Sequence, residues 1–205
     1  MDVTLPDGLR VEIAQCAAHS EQSETLADLA MSYDLRRRPH TLTMVAEVLL
    51  DRAKARLTDD PTGAVEDLTS GLEVAAHVPE PELSAELYAV RAQAVTDLLG
   101  HREALADYDR AVELAPDNPS YRNNRSVSRR LVGDIGGAVA DARRAVAGRT
   151  ESWLYWLTLG EALATLGDPE AVAVVRHAHR INPSIGRQLA DPVFDVLRER
   201  IDFPG

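Results

Sequence analysis

Residues 83–116 read LSAELYAVRAQAVTDLLGHREALADYDRAVELAP, and residues 117–150 read DNPSYRNNRSVSRRLVGDIGGAVADARRAVAGRT. Laid one above the other they echo at 34 residues. Arg91 returns as Arg125, Ala104 as Ala138, Asp107 as Asp141, Arg110 as Arg144, Ala111 as Ala145 and Val112 as Val146. A third pass supplies Trp156, Leu159, Gly160, Leu163, Gly167, Ala171, Ala178 and Pro183. Self-similarity at a fixed period of this size marks a repeat architecture, in which each unit buries its apolar stripe against its neighbours. The period decides the fold class before any site is argued.

Composition agrees. Of 205 residues 45% are hydrophobic and only 4% aromatic, so the core must be built from Ala, Leu and Val. Small apolar side chains suit closely packed helices better than a β-sandwich. The net charge of −11 opposes general nucleic-acid binding and docking on anionic membranes. Among the basic residues only Lys54 is a lysine. The single cysteine, Cys16, excludes an internal disulfide and reads as a small buried apolar residue rather than a reactive thiol. The first residues lack the basic and apolar regions of a signal peptide, and no apolar run is long enough to span a bilayer. A cytoplasmic protein is expected.

Turn and cap signals divide the chain into about eleven helices. Residues 8–18 fit either a strand or a helix, and the helix is preferred. A second helix runs from the cap candidates at Ser20 to Ser23 to about Arg37, with Arg36, Arg37 and Arg38 opposing its dipole and Pro39 ending it. Thr41 caps a third, to about Leu57; Pro61 opens a fourth, and Pro79 and Pro81 make 77–82 a linker. Further helices span about 83–99, 102–115, 119–132, 136–147, 152–166 and 169–180. A last one lies within 185–201, where Leu189, Val193, Phe194, Leu197 and Ile201 form an apolar face that would cap the array.

These units resemble the tetratricopeptide repeat, whose pattern is W-x2-L-G-x2-Y, then A-x3-F-x2-A, then P. The match is Trp156, Leu159, Gly160, Leu163, Ala171, Val175, Ala178 and Pro183 in one unit, and Ala92, Val95, Ala104, Tyr108, Ala111 and Pro116 in another. The middle unit matches through Ser126, Gly133, Ala138, Ala142 and Ala145 but lacks the final proline. The resemblance implies an all-α, right-handed solenoid of antiparallel helix pairs. Repeats would cover 41–79, 83–116, 119–150 and 152–183. Residues 1–40 would form an N-terminal extension or degenerate repeat, and 184–205 a capping helix and tail.

Chemistry is sparse. Of six histidines only His177 and His179 are close, and residues two apart on a helix point to nearly opposite sides. No HExxH, nucleophile elbow, Walker loop or GxGxxG occurs. No cofactor or metal is expected, and the chain is read as no enzyme. The resemblance implies a protein-interaction adaptor whose concave groove, made by the first helix of each pair, holds a peptide. Carried over by position, the groove residues are Gln93, Asn123, Asn124, Val127, Arg130, Thr158 and Glu161. The subtype that grips a carboxylate needs groove lysines, which are absent here. The alternative is a sensor whose array bends on binding a small ligand or signalling peptide.

One unit departs from the rest. Residues 119–150 hold seven arginines against two aspartates in an acidic chain. Arg122, Arg125 and Arg129 share one helical face, at positions where the family places large apolar contacts. They either receive a carboxylate, phosphate or acidic peptide, or pair with acids on neighbouring repeats such as Asp107 and Asp109. The partner is expected to be a protein or peptide, with homo-oligomerisation left open.

Overall fold

The computed structural model describes residues 39–190. Among these residues there are eight α-helices and no strand: α1 (Pro39–Arg56), α2 (Pro61–Ala75), α3 (Pro81–Leu99), α4 (His101–Leu114), α5 (Pro119–Leu131), α6 (Ile135–Gly148), α7 (Trp153–Leu166) and α8 (Glu170–Ile181). A short 3-10 helix, Pro183–Ala190, follows. The expected count of about eleven is not matched. The helices expected at 8–18 and 20–37, the Arg36–Arg38 run and Cys16 lie outside the described residues, as does most of the final helix. Where the capping helix is expected to begin, the backbone is 3-10 rather than α.

Prolines account for the shifted boundaries. Pro81, expected to lie in a linker, instead stands at the first position of α3; Pro39, expected to stop a helix that lies outside the described residues, stands at the first position of α1, as Pro61 and Pro119 do in α2 and α5. Proline's missing N–H costs nothing in a first turn, and its fixed φ is already helical. Thr41 is therefore a buried residue inside α1 and not a cap. True caps appear elsewhere. Asp60 accepts a hydrogen bond from Gly63 N at 2.9 Å and Asp134 one from Gly137 N at 3.0 Å. Ser152 caps α7 through Tyr155 N. Gly167, at φ 76°, ends α7 in the left-handed region that glycine adopts without strain.

The chain divides into two compact units after Ala115. In the first, α1 packs on α2 and α3 on α4, and α2 joins the pairs. Its core is Leu42, Val45, Leu49, Leu68, Val74 and Leu87, with Ala92, Ala104 and Tyr108 beside it. In the second, α5 packs on α6 and α7 on α8, and α6 contacts α7. Leu157, Leu159, Leu163, Val174, Val175 and Ile185 fill its centre.

Each pair closes at a small residue on its first helix. At Gly160 an added Cβ would sit 2.4 Å from Val175 Cγ2, well inside contact distance. Ser126 uses its hydroxyl to reach across to Ala138 O at 2.8 Å, satisfying a buried polar group where α5 and α6 meet. The residue just before each small position carries a second contact. Arg52 Nε and Nη2 donate to Asp67 at 2.9 and 2.6 Å. Arg91 does the same to Asp107 at 2.8 and 2.7 Å, and Arg125 to Asp141 at 2.7 and 2.7 Å. Such fork-on-fork pairs fix distance and orientation together. In the last pair the corresponding residues are Leu159 and Val174, both buried.

Two outcomes follow from this packing. Gly160→Val should lower unfolding free energy by about 1–3 kcal/mol through overpacking against Val175, read from urea denaturation. Arg91→Leu alone should cost about 3 kcal/mol by stranding Asp107, whereas Arg91→Leu with Asp107→Val, which copies the last pair, should return to within about 1 kcal/mol of wild type.

Candidate functional site

Two features of the second unit bear on function. The first is the arginine-rich face of α5. Its N-cap Asn118 accepts from Ser120 N at 3.0 Å, and Pro119 starts the helix, which sets Arg122, Arg125 and Arg129 along one side. All three converge on Asp141 of α6. Arg125 makes the bidentate pair, Arg129 Nη1 lies 3.0 Å from Oδ2, and Arg122 Nη1 lies 3.6 Å from Oδ1. The Asp141 side chain is only 4% exposed. Arg122 also donates Nε to Pro116 O at 3.0 Å. Its guanidinium is held below its ordinary pKa, first by burial, then by the like charge of Arg144. Arg129 further approaches Asp134 at 3.6 Å, and Arg143 pairs with Glu170 at 2.5 Å.

Asp141 is the residue that reading the sequence did not assign. The partners considered there were Asp107 and Asp109, yet Asp107 belongs to Arg91 of its own pair. The signal was present: Arg91 and Asp107 echo as Arg125 and Asp141 at the same spacing. One aspartate serving three cations is the electrostatic hub of the pair α5–α6.

The second feature lies where α5 faces α7. Arg130 Nη2 donates to Glu161 Oε2 at 2.9 Å, which joins two of the positions expected in the groove. Asn123 Nδ2 lies 3.5 Å from Asn124 Oδ1. Asn123 is 5% exposed and Thr158 4%, whereas Asn124 and Val127 are half-buried. Asn123 Oδ1 and Arg130 Nε are buried without a hydrogen-bond partner among the described residues. Gln93 sits exposed on α3 in the first unit. Among the described residues no three His, Cys, Asp or Glu side chains come together as metal ligands, and no helix is long and apolar enough to cross a membrane.

These elements define a helical-repeat protein built of antiparallel pairs closed at small residues. Comparison with known proteins points to one class. No family model matches the chain. A 67-residue segment is 43% identical to Tetratricopeptide repeat protein 36 of Mus musculus, over 33% of this chain and 34% of that one. Its counterpart in Bos taurus is 36% identical over 99 residues, 43% of this chain and 51% of that one. The matched segments thus span about a third to a half of these curated relatives. Among solved structures, MamA superposes with a TM-score of 0.60 at 16% identity, covering 90% of this chain and 99% of its own. BtubC from P. vanneervenii gives 0.60 at 21% identity, with 87% of each chain covered. YrrB, described as a TPR protein with an unusual peptide-binding site, gives 0.51 at 14%, over 87% of this chain and 94% of its own. The chain is similar to tetratricopeptide-repeat proteins, in sequence over these segments and in fold over most of its length.

Asp141→Asn should reduce stability by about 3 kcal/mol or more, since it leaves three cations around a neutral amide. Added salt should recover part of that loss by screening the arginines. Denaturant midpoints of both proteins at low and high ionic strength check this.

Proposed function

We propose that this chain is a non-catalytic interaction scaffold that holds a peptide or protein segment along the face shared by α5 and α7. One observation carries the reading. That face sets a half-buried amide, Asn124, beside a half-buried apolar residue, Val127, and the paired Arg130 and Glu161. Asn124 adds an amide that both donates and accepts, which suits a peptide backbone. The peptide-binding site named for YrrB, a neighbour in fold, is consistent with this use of the architecture.

The arginine face takes a structural role in this reading. Arg122, Arg125 and Arg129 are directed at Asp141 and hold α5 to α6, so they present the groove helix without touching the segment.

Pull-down from a native lysate with wild type and with Asn124→Ala plus Arg130→Ala tests the assignment. The double variant should lose the captured partner while retaining wild-type helicity by circular dichroism. Equal recovery by both would remove the groove assignment.

A further inference from the structure

The repeats place a ring against a cation where each helix pair meets, except in the middle one. In the first unit the Arg110 guanidinium lies 5.9 Å from the centre of the Tyr88 ring, and Arg110 also pairs with Glu113. In the last pair Trp156 meets His177 with ring centres 4.4 Å apart. His177 stands three residues past Val174, as Arg144 does past Asp141. Between them, Tyr88 and Arg110 echo as Arg122 and Arg144, and Ala147 replaces Glu113. The middle pair therefore sets two arginines together and drops both the ring and the acid.

We propose that Arg122 and Arg144 bind a phosphate monoester between the first turn of α5 and the C-terminal half of α6. The proposal does not depend on the groove reading above.

Arg122 is anchored and still has donors to offer. Its Nε donates to Pro116 O at 3.0 Å, which fixes the guanidinium and leaves the Nη1–Nη2 edge without a hydrogen bond. Nη1 lies 3.6 Å from Asp141 Oδ1, beyond hydrogen-bond reach. The oxygens of that carboxylate already accept from Arg125 at 2.7 and 2.7 Å and from Arg129 at 3.0 Å. The Nη1–Nη2 edge reaches solvent, since the unpaired side-chain atoms sealed from water among the described residues are Asn123 Oδ1 and Arg130 Nε. Arg144 is exposed and has no hydrogen bond, ion pair or ring contact among the described residues. Burial, and then the like charge of Arg144, hold Arg122 below its ordinary pKa, and a bound anion relieves the second of these. Asp117 also acts on Arg122 but is exposed, so water and salt screen it. The first turn of α5 adds the partial positive charge of a helix start.

The ligand follows from the number of donors. A carboxylate brings one charge and two oxygens, which a single guanidinium fork satisfies. A phosphate monoester brings a charge of about −1.5 to −2 and three acceptor oxygens, enough for both arginines.

The test titrates the 15N-labelled full chain with blocked glycine peptides carrying a central phosphoserine, serine or glutamate, and with inorganic phosphate. The phosphoserine peptide should shift amides in the first turn of α5 saturably and bind about tenfold more tightly than the glutamate peptide, ~1.4 kcal/mol. The serine peptide should not bind. Arg144→Ala, an exposed change, should weaken the phosphoserine peptide about tenfold, and Arg144→Lys by less because it keeps the charge. Arg122→Tyr, which copies the Tyr88–Arg110 arrangement, should abolish the response at wild-type helicity. Arg102→Ala, at an exposed arginine of α4, should leave it unchanged. Inorganic phosphate binding as tightly as the phosphoserine peptide would assign the site to free phosphate compounds; tighter peptide binding would assign it to a phosphorylated side chain. Equal binding of the glutamate and phosphoserine peptides, binding untouched by Arg144→Ala, or no response to any phosphate probe would overturn the proposal.

Discussion

Within each helix pair two backbones must come close enough to interlock, and only a residue with little or no side chain permits it. Gly160 against Val175 is the tightest case, and Ser126 turns the same approach into a hydrogen bond to Ala138 O. Interaxial distances of 8–10 Å follow from such positions, and larger side chains push helices apart. Fixing that point also fixes what stands one residue before it. That residue is aimed at the second helix, at a depth where a lone charge would be costly. Arg52, Arg91 and Arg125 meet the demand with an aspartate each; Leu159 meets it by being apolar.

The arginine-rich repeat makes sense in this frame. A pair with few large apolar residues on its first helix still needs something to hold α5 on α6. Three guanidiniums on one buried carboxylate supply it. These charges are turned toward Asp141, so the positive excess of the repeat is gathered between α5 and α6. The opposite side of α5 is left to Asn123, Asn124, Val127 and the neutralised Arg130.

Much of this was legible in the chain itself. The 34-residue echo reports positions that pack, and packing is what a repeat must preserve, so the eight helices between Pro39 and Ile181 fall close to their expected spans. The misplacements occur at proline, where one residue type can end a helix or begin one; Pro39 and Pro81 begin them. The site was harder to read. Asn123 and Asn124 are neighbours in sequence, yet one is buried and the other half-open, a difference of about 100° around the helix that composition does not reveal. Asp141 was visible as an echo of Asp107, but its three partners depend on which face of α5 turns to α6.

The Arg–Asp forks also constrain how such a chain can change over generations. An apolar couple does the same mechanical work, as Leu159 and Val174 demonstrate. For the Arg91–Asp107 fork, passing from one solution to the other by single substitutions requires an intermediate with one largely buried, unanswered charge. That costs about 3–5 kcal/mol, against a total stability of order 5–15 kcal/mol for a domain. That fork is therefore held in place by the valley between two arrangements, and descendants of this sequence would exchange both its members together or neither, whereas Asp67 and Asp141 each keep another arginine when one is lost.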